Sequence, residues 1–276
     1  MKNYKQQMQN WLLQLRNSLL TQGVPQSDVM NLETKLLKKM NDEAPPRIAV
    51  IGETGVGKSS TINALFNTNL PVHDFTACTQ EIEEVNTTTA NGEPITIVDF
   101  PGLGEGLTAD KRHWELYKKE LPSVDVALWV ISAGDRAVGN MITALRKISD
   151  ICSDKALSRL VFGINKAEHM SPEQWNIRAN MPEPNHYNNL IGFQKTVLNA
   201  IREIIPKWNG RIETYSAHKR YNLDALLLAI LQTVPETRRW KVKATSDVAS
   251  WEEFVDPEYL RLARQINAEG EKSHEC

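Results

Sequence analysis

Ile48-Ala49-Val50-Ile51-Gly52-Glu53-Thr54-Gly55-Val56-Gly57-Lys58-Ser59, residues 48–59, runs from four apolar residues into a glycine-rich turn and leaves it at a lysine and a hydroxyl. It fits G-x-x-x-x-G-K-[ST] at every fixed position. An apolar strand feeds the turn, and Ile62, Leu65 and Phe66 mark one face of a helix after it. Glycines let the backbone fold tightly and bring several N–H groups to one point. The helix N-terminus adds partial positive charge there. Lys58 adds a compact cation and Ser59 a hard oxygen suited to magnesium. The stretch predicts a phosphate cradle made of Gly52, Glu53, Thr54, Gly55, Val56, Gly57, Lys58, Ser59 and Ser60.

Outward from this loop, short apolar segments alternate with helical ones. Strands are expected at 47–51, 81–89, 94–99, 124–132, 159–165 and 211–216, with helices near 58–67, 108–120, 137–151, 186–205 and 222–233. Asn91-Gly92 favours a tight hairpin between the second and third strands. Strands separated by helices imply a mostly parallel, six-stranded α/β sheet covered on both faces. Upstream, Met8, Trp11, Leu12, Leu15 and Leu19 form a helical stripe; Gly23 and Pro25 break it, Ser27 is a candidate cap, and Val29, Leu32, Leu36 and Met40 form a second stripe. Ala44-Pro45-Pro46 ends that hairpin. Three regions result: a helical hairpin at 1–44, the α/β domain at 46–234, and an extension at 235–276 with a helix near 251–267 and a polar tail.

Composition sets bounds. In 276 residues, 41% are hydrophobic and the formal net charge is −2, which suits a packed core and gives no direct sign of DNA binding. Three widely spaced cysteines, Cys78, Cys152 and Cys276, fit neither a disulfide framework nor a zinc site, and point to a reduced, cytoplasmic compartment. No apolar window is long enough for a transmembrane helix.

Three later stations narrow the ligand. Asp99-Phe100-Pro101-Gly102 follows an apolar strand and matches D-x-x-G, so Asp99 is a candidate magnesium residue and the Gly102 N–H a candidate γ-phosphate donor. Asn165-Lys166-Ala167-Glu168 follows the strand at 160–164 and is close to N-K-x-D, with glutamate for aspartate. A carboxylate accepts from guanine N1–H and the exocyclic amine, whereas adenine offers it a lone pair. Ser216-Ala217-His218 follows the last strand, where a backbone N–H would meet the guanine carbonyl. Between the phosphate loop and Asp99, Thr79 is the candidate threonine for magnesium and the γ-phosphate, with Thr76 as alternative.

In this order the stations resemble the Era/TrmE-like P-loop GTPases of the translation-factor class. Residues 52–65 are similar to Era-like and to interferon-inducible, dynamin-related GTPases. Asn165-Lys166-Ala167-Glu168 with Ser171-Pro172-Glu173-Gln174-Trp175-Asn176 looks like the YfjP-type, 50S-ribosome-binding-like group. The resemblance covers about 46–234. It implies a three-layer Ras-like G domain that binds GTP or GDP with magnesium and acts as a slow switch. Its partners would be a second G domain, the ribosome or another protein effector.

The sequence departs from the pattern at three places. Leu103 occupies the position where Ras-like switches carry a water-orienting glutamine. Glu105 sits where TrmE-type enzymes carry a water-orienting glutamate, so the catalytic candidates are Lys58, Thr79, Gly102 and Glu105. Gly55 stands where potassium-activated members carry asparagine, which leaves potassium dependence an open question. Arg136 is read as a surface salt bridge, with action in trans as the alternative. Two competing functions remain: a nucleotide-binding module with little catalysis, and an ATPase, which Asn165 and Glu168 disfavour.

Overall fold

The computed structural model describes residues 13, 15–21, 23–43, 45–66, 82–88, 94–103, 107–134, 136–235 and 257. The chain divides into two compact units, Met1–Pro45 and Pro46–Cys276.

In the first unit, helix α1, described over 15–21, stops at Gly23, whose φ of 81° lets the chain reverse. The Gly23 and Val24 N–H groups close that end on the Leu20 and Leu19 carbonyls. Helix α2 (Gln26–Glu43) follows, and Val29 is buried where Leu15, Leu19 and Leu32 meet. Ser27 does not cap α2: it lies inside the first turn and donates to Asp28 Oδ1, while Pro25 supplies the first carbonyl of the helix. Proline suits that entry because its missing N–H would find no helical partner. Met8, Trp11 and Leu12, and the side chains of Leu36 and Met40, lie outside the described residues.

The second unit is built on six strands: β1 (Arg47–Gly52), β2 (Glu83–Thr88), β3 (Pro94–Asp99), β4 (Val126–Ser132), β5 (Leu160–Asn165) and β8 (Ile212–Thr214). Their spatial order is β2-β3-β1-β4-β5-β8. Only β2 runs antiparallel, against β3; the turn expected at Asn91-Gly92 lies outside the described residues. The helices are α3 (Lys58–Phe66), α4 (Leu107–Glu120), α5 (Arg136–Ile151), the single turn α6 (Asp154–Leu157), α7 (Pro184–Ile204) and α8 (Leu223–Thr233).

The strands alternate between two cores, as the two-residue period of a strand requires. Ala49 and Ile51 of β1 face Tyr117 of α4, Leu145 and Ile148 of α5 and Val197 and Ile201 of α7. Ile48 and Val50 face Ile62 and Leu65 of α3 and Leu226 and Ile230 of α8. Both faces are dry, so the central strands read as continuous apolar runs. The register pairs Gly52 with Val130 and Ser132 with Asn165. The C-terminal ends of β1, β4 and β5 thus reach one edge of the sheet together. In open α/β sheets that edge is where ligands bind. A small antiparallel hairpin that the sequence pattern did not announce, β6 (Trp175–Asn176) with β7 (Met181–Pro182), stands between β5 and α7.

Candidate functional site

The phosphate loop leaves β1 at Gly52 and enters α3 at Lys58. Gly52, Gly55 and Gly57 have φ of 140°, 81° and 94°, a backbone region costly for any residue with a Cβ. Space excludes a side chain as well: a Cβ on Gly52 would strike the Val130 carbonyl, and one on Gly57 the Asn165 amide. Lys58 is nearly buried, and its ammonium lies over the loop's own carbonyls, 3.3 Å from Gly52 O and 3.0 Å from Glu53 O. Behind the loop, Thr61 Oγ1 donates to Gly57 O at 2.7 Å. That leaves the fully buried Tyr215 hydroxyl to donate to Thr61 Oγ1, also at 2.7 Å. Burial pushes the Tyr215 phenol well above its ordinary value, with the Thr61 bond opposing weakly.

Asp99 ends β3, pairs in register with Val50, and is buried. The segment after it docks on the phosphate loop. Leu103 N–H donates to Gly52 O at 3.3 Å, and Thr54 N–H donates to Leu103 O at 3.2 Å. Gly102 lies against Thr54 so closely that a Cβ would meet the Thr54 hydroxyl. From above, α4 holds the same segment: His113 Nδ1 lies 2.8 Å from Gly102 O, and Tyr117 Oη donates to Pro101 O at 3.1 Å. Glu53, next to Gly52, accepts from Asn140 Nδ2 of α5 at 3.2 Å. Partial burial raises its carboxyl, while the Asn140 bond and the Lys58 charge pull the other way.

The base stations come to the same edge. Asn165 Nδ2 donates to Val56 O at 2.9 Å, and Asn165 Oδ1 accepts from Ala217 N–H at 3.0 Å. One side chain therefore bolts the phosphate loop to both candidate base-reading loops. Lys166, with φ of 62°, reaches back so that Nζ donates to Gly55 O at 2.7 Å. Glu168 sits in a 3-10 turn, Ala167–His169, with 7% of its surface exposed. Its Oε1 is 3.8 Å from His169 Nε2; its Oε2 is buried with no hydrogen-bond partner among the described residues. A buried carboxylate oxygen without a donor is costly unless a ligand supplies one. Ser216 Oγ accepts from Lys219 N–H at 2.8 Å, and Ser216 and Tyr221 exchange backbone bonds at 3.0 Å. The Ala217 N–H of that station is committed to Asn165 Oδ1.

Lys58, Ser59, Asp99, Gly102, Asn165, Lys166, Glu168 and the 216–218 loop thus share the C-terminal edge of the sheet. Thr76, Thr79 and Glu105 lie outside the described residues, as does the side chain of Arg136, whose backbone opens α5. The sequence pattern missed the tie of Asn165 to Val56 and Ala217, because its partners stand 109 and 52 positions away. It also missed His186, which touches the Ala167 carbonyl from α7. No described helix is long and apolar enough to cross a membrane.

Comparison with known proteins gives the same outline. The family model described as 50S ribosome-binding GTPase matches residues 47–166. The uncharacterized protein YfjP of Escherichia coli K12 is 33% identical over 162 residues, covering 57% of this chain and 53% of YfjP. The uncharacterized protein YkfA of the same organism is 41% identical over 107 residues, covering 38% of this chain and 37% of YkfA. The chain therefore spans about half or less of the length of these relatives. Among solved structures, Aquifex aeolicus Era bound to GDP and AlF4− superposes with a TM-score of 0.50 at 23% identity, over 69% of this chain and 57% of that one. At that identity the likeness speaks for the fold. The phosphate loop, Asp99 and Asn165 all lie inside or at the border of the segment, residues 47–166, that matches the 50S ribosome-binding GTPase family model.

Proposed function

We propose that this chain binds GTP with magnesium and hydrolyses it slowly to GDP and phosphate, as a switch accelerated by a partner or by self-association. The observation that carries the reading is Glu168 Oε2: a buried carboxylate oxygen lacking a donor among the described residues, on a loop tied through Asn165 and Lys166 to the phosphate loop. A guanine edge supplies the donors it lacks. The methylene stem of Lys166, stretched between the two loops, offers the base an apolar wall.

At the other end, the amides of residues 54–59 and the Lys58 ammonium would hold the β- and γ-phosphates. Ser59 and Asp99 are hard oxygen donors suited to magnesium, and Thr79 is the proposed third. Among the described residues no three His, Cys, Asp or Glu side chains gather at one point, so the ion would need phosphate oxygens and water to complete its shell. Bound there, magnesium would neutralise charge building on the phosphate oxygens. In hydrolysis a water oxygen bonds to the γ-phosphorus, the bond to the β–γ bridging oxygen breaks, and GDP, phosphate and a proton leave. Lys58 and the Gly102 N–H would stabilise the charge, and Glu105 is the proposed water-orienting group. Release of the γ-phosphate would free the Thr79 and Gly102 segments. The family description makes the ribosome one candidate effector, beside another protein or a second copy of this chain, in the cytoplasm.

Lys58→Ala should abolish magnesium-dependent phosphate release. Glu168→Ala should weaken GTP binding by about 10- to 100-fold while changing ATP binding little, since a bond to a charged group contributes about 1.5–3 kcal/mol. Equal losses for both nucleotides in calorimetry would remove the guanine reading. A second reading, binding with little catalysis, draws on Leu103, which is 5% exposed and bridged to the phosphate loop where an activating glutamine would otherwise stand. Phosphate release by wild type no faster than by Lys58→Ala would favour it.

A further inference from the structure

The 174–183 hairpin stands over both base-reading loops. Its strands pair Trp175 with Pro182 and Asn176 with Met181. Its tip is closed by Asn176 Oδ1 accepting from Ala179 N–H at 2.9 Å, and its base by Glu183 N–H donating to Gln174 O at 2.8 Å. From the start of α7 the fully buried His186 ring bridges two carbonyls, with Nε2 2.8 Å from Ala167 O and Nδ1 3.0 Å from Gln174 O. Ala167 immediately precedes Glu168 in the same turn. On the other side, Asn180 Nδ2 donates to Lys219 O at 2.9 Å, while its Oδ1 accepts from Trp175 Nε1 at 3.2 Å. The Trp175 ring meets His186 edge-on at 5.9 Å and Tyr221 at 5.2 Å. One indole thus touches a residue bound to the first loop and a residue of the second.

Backbone strain gathers in the same place. Every described non-glycine residue with left-handed backbone lies in or directly beside these loops and this hairpin: Lys166, Glu173, Asn180, Arg220 and Asn222. Such conformations persist only where surrounding contacts enforce them, and they cluster where a site must be preorganised. Glutamate is one methylene longer than the aspartate of the usual pattern, so its carboxylate reaches the guanine edge only if the turn carrying it is set back by a matching amount. We propose that the 174–183 hairpin, acting through Asn180 and His186, positions the two base-reading loops so that Glu168 meets guanine. Asn180, His186 and Trp175 are then positioning residues for guanine selectivity. This rests on the reading of Glu168 given above.

The test compares binding of magnesium-GTP and magnesium-ITP by calorimetry. Inosine lacks the exocyclic amine that would donate to Glu168 but keeps the same phosphates and ribose. Asn180→Gly removes both side-chain bonds and keeps the left-handed backbone, since φ is 48°. It should weaken GTP most and ITP, which keeps only the N1–H donor, less, so that the preference for GTP over ITP falls by about tenfold, while ATP binding stays within about twofold of wild type. His186→Ala should act in the same direction; because His186 is fully buried, Asn180→Gly carries the test if that variant does not fold. Glu168→Asp should weaken GTP binding in wild type and do so less in the Asn180→Gly background, as coupling through the hairpin demands. Equal losses for GTP and ITP, or an unchanged ratio in a folded Asn180→Gly protein, would make the hairpin ordinary packing and overturn the proposal. A wild type that binds GTP, ITP and ATP alike would remove the reading of Glu168 itself, and this inference with it.

Discussion

At the residue scale, Leu103 separates what a motif names from what a side chain does. In the pattern it is the position of a water-orienting glutamine; in the fold it belongs to the core that holds Phe100 and Tyr117. Its backbone bridges Glu53, so its side chain is directed by a hydrogen-bonded register and not by a free loop. Leu103→Gln should therefore not speed hydrolysis. It would bury an amide beside apolar neighbours, at about 1–3 kcal/mol, and lower the melting temperature by roughly 3–10 °C. Thermal unfolding and phosphate release measured on the same protein check both halves; a faster enzyme of unchanged stability would show that the segment moves in the working state. The placement of Lys58, Asp99 and Glu168 at one edge of the sheet was legible in the sequence because each lies at a fixed offset from a strand. The double role of Asn165 was not. A side chain bonded to Val56 and Ala217 serves contacts that only the closed sheet brings together.

At the scale of elements, the phosphate loop is supported from the far end of the sheet. The Tyr215 hydroxyl just past β8 donates to Thr61 of α3, which donates to Gly57 O in the loop. Tyr215→Phe removes the first link and leaves the second, and should cost about 1 kcal/mol at neutral pH. Its signature is in alkali. Burial keeps the folded phenol protonated above the ordinary value of about 10, so above that pH the unfolded chain loses this proton first. The contribution is whole below pH 10 and is lost as pH rises towards the folded value. Tyr215→Phe should flatten the alkaline fall of melting temperature; a fall as steep as in wild type would show that the buried hydroxyl does not titrate with unfolding. Elements of this kind were easy to read: all six strands of the main sheet and the five long helices of the second unit coincide with apolar periodicity to within about two residues. The 174–183 hairpin escaped because two-residue strands have no period. What holds it is a set of side-chain bonds from Asn176, Asn180 and His186.

At the scale of the molecule, the candidate nucleotide site is where the sheet's long-range connections end. Loops after β1, β3, β5 and β8 contribute to it, and Asn165 and Lys166 already join the first to the third. A ligand spanning Lys58 and Glu168 would add links between strands at the centre and at one side of the sheet, opposing their separation on unfolding. Binding to the folded state alone stabilises it by RT ln(1 + [L]/Kd), about 2.7 kcal/mol at a hundredfold excess over Kd. For a unit of this size that is a rise of about 5–10 °C in melting temperature. Magnesium-GTP and magnesium-GDP should both produce it, and ATP at the same concentration should produce much less, because it leaves Glu168 Oε2 without a donor. Lys58→Ala should abolish the GTP-induced rise, and Glu168→Ala should reduce it to the level seen with ATP. Equal rises with GTP and ATP in scanning calorimetry would mean that the grip is on the phosphates alone, and that the carboxylate beside Ala167 is buried for some purpose other than reading a base.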